Sequence, residues 1–258
     1  MGLLEKTEAE RWHTNICHLI FQKLGRKHSL RVLDFGGGDG LHYLKAKPTL
    51  FHYGCGCFNP YAHKRKGLEW NIVEFQECVD KYKDSMPDEP QLKWFSSMDE
   101  LDGKMDIVYS DSTLRYIENY QDALSKMMSF NPRYIFLHRS TIGQHNTCLG
   151  RQLFGRQRLN GPDVEFGDES LYSFEPGQAD EDNYGMTRNG EAMHFWFINE
   201  ESFRQHIDSH GYQIFHKQAF NIHPRYEIVE GSLNSYNDYW GTPRAEINSF
   251  ILEKTNQC

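Results

Sequence analysis

Apolar residues recur along the first half of the chain in short continuous runs. Leu30-Arg31-Val32-Leu33-Asp34-Phe35 opens the series, and Trp70-Asn71-Ile72-Val73-Glu74-Phe75 follows. Leu92-Lys93-Trp94-Phe95, Met105-Asp106-Ile107-Val108-Tyr109-Ser110 and Arg133-Tyr134-Ile135-Phe136-Leu137-His138 continue it. Runs of this length, apolar on successive residues, predict strands buried on both faces. Helical spacing lies between them, over 77–83 and 119–130. Strands alternating with helices predict a mostly parallel sheet covered by helices on both sides.

The flanks complete the pattern. Leu4, Trp12, Ile16, Leu19, Ile20 and Leu24 can share one face of a helix over 3–24, and Gly25 supplies a stop. Between 143 and 193 the chain is rich in Gly, Asn, Asp, Arg and Gln and has no sustained period. A loop of that length predicts a lid or a binding segment. Phe195-Trp196-Phe197, a helix over 200–209 with Gly211 as its cap, and strands at 212–217 and 249–253 end the chain. The last two strands suit an antiparallel hairpin on the sheet edge. One domain is expected, with an N-terminal helix (1–27), a core (28–142), a lid (143–194) and a C-terminal helix with edge strands (195–258).

Composition narrows the class. Of 258 residues, 38% are apolar and 25% charged, enough for a packed core. The net charge of −8 gives the chain as a whole no electrostatic reason to bind nucleic acid. Six cysteines are too scattered for a disulfide framework, and Cys55-Gly56-Cys57 lacks the second pair or nearby His that a zinc site needs, so no metal is expected. No apolar stretch approaches the ~20 residues of a membrane span. Lys6 stands where a myristoylation motif would place Ser or Thr. A soluble, cytoplasmic protein is the expectation, of undetermined oligomeric state.

The chemistry begins at Asp34-Phe35-Gly36-Gly37-Gly38-Asp39-Gly40. Glycines after a first strand let the backbone approach a ligand closely and adopt positive φ. A dinucleotide fingerprint needs a glycine where Leu41 stands. The spacing here is Asp-x-Gly-x-Gly-x-Gly, the methyltransferase form, in which the loop faces the amino-acid and ribose portion of S-adenosylmethionine. Asp34 can then reach the methionine ammonium, directly or through water. Glu74, ending the second strand, fits an acceptor for both ribose hydroxyls. Ser96, Ser97 and Met98 lie where this fold covers adenine, and Ser110, Asp111 and Ser112 end the fourth strand at the cofactor–substrate boundary. A plain strand–turn–helix, with Glu74 merely starting a helix, is the competing reading.

In order and spacing, 33–40, 70–75, 92–95, the Ser-Asp-Ser-Thr-Leu-Arg-Tyr segment at 110–116, and 136–140 resemble a family of bacterial methyltransferases. Its members are commonly encoded among surface-polysaccharide biosynthesis genes. The resemblance covers about 30–142, and more weakly 195–217. It implies a Rossmann-like class I methyltransferase fold, S-adenosylmethionine as methyl donor, and a saccharide or sugar-phosphate acceptor for O-methylation. The family carries an acid before the Arg of the fifth-strand motif, whereas this chain has His138 before Arg139.

Methyl transfer to a hydroxyl needs alignment and a proton acceptor. Ligands of open parallel sheets bind beyond the carboxyl ends of the strands, where His138 stands as the candidate general base. A structural hydrogen bond and a substrate contact are its alternatives. Arg139 and Arg151, with Arg156 and Arg158, could hold a carboxylate or phosphate on the acceptor, or form a solvated face. His145, Tyr184 and His194 could reach over the cofactor's methyl group to the substrate if the lid folds back, or else be solvated loop residues. Two other functions stay open: a small-molecule or natural-product methyltransferase, and a non-catalytic methyltransferase-like binding domain.

Overall fold

Successive residues of a strand point to opposite faces, and neither Val32 nor Leu33 has exposed surface. The first strand, β1 (Leu30–Phe35), must therefore be covered on both sides. The computed structural model, which describes residues 8–25, 30–52, 68–144, 147–152, 194–220, 226–230 and 247–255, shows how.

On one side β1 pairs in parallel with β2 (Leu68–Val73), which pairs with β3 (Leu92–Phe95). On its other side lies β4 (Ile107–Asp111), parallel to β1 and to β5 (Tyr134–Ser140). Two strands finish the sheet: β11 (Ile247–Lys254), antiparallel to β5 beside it, and β9 (Tyr212–Phe220) at the edge, antiparallel to β11 and so parallel to the rest. The order is β3-β2-β1-β4-β5-β11-β9. After β1 the chain builds outward to β3, then returns to the other side of β1. That reversal opens a crevice beyond the carboxyl ends of β1 and β4.

One face of the sheet packs Val32, Trp70, Ile72, Ile107, Phe136 and Ile251 against α1 (Glu8–Gly25) and α2 (Leu41–His52). The other packs Leu33, Val73, Val108, Ile135, Leu137, Phe250 and Leu252 against α4 (Tyr120–Ser129) and α5 (Glu200–Ser209). A short α3 (Gln76–Tyr82) links β2 to β3 and buries Val79. The fold is α/β with helices on both faces, as the apolar runs predict.

Several boundaries move. On α1 the buried stripe is Cys17, Ile20, Phe21 and Leu24, at true helical spacing, and Leu19 is exposed. Leu4 lies outside the described residues. The second strand starts at Leu68 and stops at Val73, so Glu74 and Phe75 follow it rather than belong to it. Asp39 accepts from the Leu41 amide at 3.0 Å and starts α2, a helix the apolar pattern does not announce. The expected lid segment contributes β6 (Ile142–Gly143), β7 (Cys148–Gln152) and the start of β8 (His194–Asn199). With β10 (Tyr226–Glu230) they form a second sheet, ordered β10-β7-β8-β6. Among the described residues no helix is long and apolar enough to cross a membrane.

The face over α5 depends on Phe203, fully buried with its ring 5.3 Å from that of Phe250. Phe203→Ala is expected to lower unfolding free energy by about 3–5 kcal/mol, through lost burial and the cavity left behind. Equilibrium denaturation in urea checks this.

Candidate functional site

The loop leaving β1 has three glycines at positive φ: Gly36 at 76°, Gly38 at 54° and Gly40 at 84°. At Gly36 the restriction is also steric, because a Cβ would lie 1.9 Å from Thr113 Oγ1. The β1 loop and the turn after β4 touch there. A Cβ on Gly37 would come within 2.6 Å of the Asp34 carboxyl carbon. A Cβ on Gly38 would meet nothing within 4 Å. The loop is thus packed from below and open at its apex.

Neighbouring strand ends hold that shape. Gly36 donates to the Val73 carbonyl at 2.8 Å, and Gly40 closes the turn on Gly37 at 3.0 Å. Glu74 Oε2 accepts the Gly38 amide at 3.2 Å, while Glu74 Oε1 accepts from the Phe75 amide at 3.1 Å. Trp94 Nε1 donates to the Gly38 carbonyl at 3.0 Å. Glu74 therefore reaches the loop apex at the end of β2. Beside it Phe75 is 75% exposed, a large aromatic ring left uncovered at the same strand end.

Beneath the loop lies a chain of alternating charge. Asp34 has no exposed surface, and its carboxylate accepts from Trp70 Nε1 at 2.9 Å. His42, in the first turn of α2, places Nδ1 at 3.0 and 3.2 Å from the two Asp34 oxygens. Its Nε2 lies 3.5 Å from Asp111 Oδ2, and Arg139 Nε donates to Asp111 Oδ1 at 2.7 Å. Burial opposes the charged imidazole, but Asp34 and then Asp111 outweigh it and carry the His42 pKa up to about 10. For Asp111 burial works upward, yet His42 and Arg139 hold the carboxyl well below its usual range. Both ring nitrogens of His42 then donate.

His138 sits on the same face of the sheet. Its ring lies 4.8 Å from Tyr109, and its Nε2 is 3.7 Å from Cys17 Sγ on α1. Burial pushes the Cys17 thiol far up, so it stays protonated and is no nucleophile. Arg139 follows at φ 48°, a left-handed residue whose amide donates to Ser249 Oγ at 3.0 Å.

The structure redistributes the expected site residues. Asp34, Gly36, Gly37, Gly38, Gly40 and Glu74 do converge. Asp34, however, lies under the loop with Trp70 and His42 as partners, a supporting position rather than one facing a ligand ammonium. Ser110 is buried inside β4, registered between Phe35 and Leu137, and the strand runs one residue further to Asp111. Of the three residues expected at that strand end, Asp111 closes β4, Ser112 follows it and Ser110 lies one residue inside. Ser96 and Ser97 follow β3, and both amides go to Glu100 Oε1 at 2.9 Å, in a capping box that opens a short turn at Met98. Arg151 and His194 are register partners across β7 and β8. His145 and Tyr184, like Arg156 and Arg158, lie outside the described residues. His42, Trp70 and Phe75 are the contributors that motif spacing does not reveal. The available signals were a histidine two residues past the last loop glycine, and an aromatic directly after a strand-end acid.

No family model matches the chain, and no curated protein matches it. Among solved structures it is similar to the CMeT domain of the citrinin polyketide synthase, at 13% identity and TM-score 0.47. That match covers 96% of this chain and 53% of the other, so the chain spans about half that domain's length. An S-adenosylmethionine dependent methyltransferase from Mesorhizobium loti matches at 12% identity and TM-score 0.45, over 88% and 91% of the two chains. Magnesium protoporphyrin IX methyltransferase from Synechocystis PCC 6803, with bound SAM, matches at 11% and 0.41, over 96% and 86%. Such identities say nothing about the reaction. The chain's own strand order, with its antiparallel last strand inserted next to β5, defines a Rossmann-like class I methyltransferase fold.

The charged chain makes stability depend on pH. Asp111, depressed when folded, stabilises above the ordinary carboxyl value of 3.8, and that contribution is lost as pH falls through its folded value. His42 is raised from 6.5 to about 10, so its contribution is complete below 6.5 and lost as pH rises toward 10. Denaturant titrations from about pH 6 to 10 should show stability falling on the alkaline side. His42→Gln should flatten that limb.

Proposed function

We propose that the chain is an S-adenosylmethionine-dependent O-methyltransferase. One observation carries the reading most strongly. Glu74, held by the Gly38 and Phe75 amides, presents a carboxylate beside the open apex of the glycine loop. A carboxylate there suits a pair of ribose hydroxyls, and the exposed Phe75 ring suits the face of a purine. The residues fit the cofactor: Gly38 leaves the loop open, Glu74 takes the sugar, and Phe75 with the 96–98 turn flanks the base.

When bound, the cofactor supplies a methyl group activated by its sulfonium. The chain's own groups must orient an acceptor hydroxyl and remove its proton. His138, two residues before the end of β5 and in register with Asp111 at the end of β4, is the proposed base. Tyr109 and Cys17 fix its ring from two sides, and burial raises both of their pKa values, so neither competes for the acceptor proton. Arg139, Arg151 and His194 are proposed on the acceptor side; most of the expected lid, 153–193, lies outside the described residues. A saccharide or sugar-phosphate acceptor rests on the resemblance of 30–142 alone. Asp111 already engages the Arg139 guanidinium, so an anionic acceptor would share it.

Calorimetry with S-adenosylmethionine and S-adenosylhomocysteine tests the cofactor. The wild type should bind both, Gly38→Arg should bind neither, and Glu74→Gln should weaken binding about tenfold or more. Silence from the wild type, or unimpaired binding by Gly38→Arg, would sink the proposal. Mass spectrometry of methyl transfer across glycans, phenols and amines separates the acceptor classes. Activity on phenols or amines alone would remove the saccharide assignment. In the productive assay His138→Ala should lower kcat by ~10²-fold or more, and a drop of only a few-fold would remove it as base.

A further inference from the structure

The alternating series Asp34, His42, Asp111, Arg139 joins two strand ends that the chain order places far apart. We propose that His42 is a positioning residue: clamped between Asp34 under the glycine loop and Asp111 at the tip of β4, it locks the cofactor side of the crevice to the acceptor side. The inference rests on the cofactor reading above and adds a residue with no contact to either ligand.

The geometry argues it in steps. Asp34 is sealed from solvent, and the His42 and Asp111 side chains are only 15% and 14% exposed. Two carboxylates this close to one ring would repel across the β1–β4 seam if the ring were neutral. Trp70 supplies Asp34 one neutral donor, which cannot balance that charge. As a cation His42 donates from both nitrogens, and the series carries two negative and two positive charges. Gly36 and Thr113 touch at the same seam, so any spreading of β1 from β4 would distort the loop that frames Gly38. The groups facing the ring are Asp34 from β1, and Tyr109, at 4.7 Å, and Asp111 from β4. Behind them stand His138 and Arg139 from β5 and Cys17 from α1.

Two measurements on the intact chain decide it. NMR titration of the wild-type imidazoles should find the His42 ring protonated throughout about pH 6 to 8.5. S-adenosylhomocysteine affinity, followed by calorimetry over the same range, should be nearly flat for the wild type. Asp111→Asn removes one of the two anions, so His42 should titrate within the range and affinity should fall about tenfold as pH rises through that transition. His42→Gln should bind about tenfold more weakly at every pH, and His42→Lys, which restores a cation, should recover part of the loss. A wild-type His42 ring that deprotonates near 6.5 overturns the proposal, as does His42→Gln within about twofold of wild type or an Asp111→Asn profile parallel to it. Those results leave the cofactor reading intact. Absence of wild-type binding overturns both.

Discussion

The Asp34 carboxylate is fully enclosed, and the site is built around keeping it satisfied. A buried carboxylate is tolerated only when donors and an opposite charge surround it. Trp70 supplies a neutral donor from β2, and His42 supplies the charge from the first turn of α2. Gly37 has no Cβ because one would collide with the same carboxylate. Three consecutive features of the chain, the strand, the glycine loop and the helix after it, are thus held to one buried group. Asp34 thereby gives the loop its shape.

Recognition falls to the strand ends around the loop. The reversal of strand order between β1 and β4 makes a crevice that neither half of the sheet would form alone. Glu74 and Phe75 stand on one side of it, from β2. Asp111, Arg139 and His138 stand on the other, from β4 and β5. On the proposed reading, the half nearer β2 takes the nucleoside. The half nearer β5 holds an imidazole in an aromatic setting and a guanidinium already engaged by a carboxylate. On that reading the first half would take the partner common to every turnover, and the second would set the specificity.

Much of this was legible in the chain. Strands buried on both faces read as continuous apolar runs, so β1 and β5 are recognisable, and the loop spacing singles out Gly36, Gly38 and Gly40. The limits of β2 and β4 were not legible, because pairing register rather than apolarity ends a strand. Val73 pairs with Phe35 and Phe95, leaving Glu74 just outside. Leu19 looked like part of the helix stripe because apolarity alone does not say which face meets the sheet. Asp111 was legible as a strand-end acid, but its contact with His42 was hidden for a deeper reason. Their meeting depends on β1 and β4 lying side by side with Phe35 opposite Ser110, a long-range pairing that no local pattern encodes. The second sheet escaped notice likewise, since β7 and β8 are joined across a long segment rich in turn-forming residues.

The central claim is that Glu74 and the open Gly38 apex form the ribose end of an S-adenosylmethionine site. A crystal structure with S-adenosylhomocysteine bound tests it most directly. The account predicts both ribose hydroxyls on the Glu74 carboxylate, the adenine against Phe75, the homocysteine running over Gly36–Gly38 toward β4, and Asp34 still enclosed by Trp70 and His42. A ligand bound away from the glycine loop, or one leaving Glu74 without a ribose contact, would contradict it.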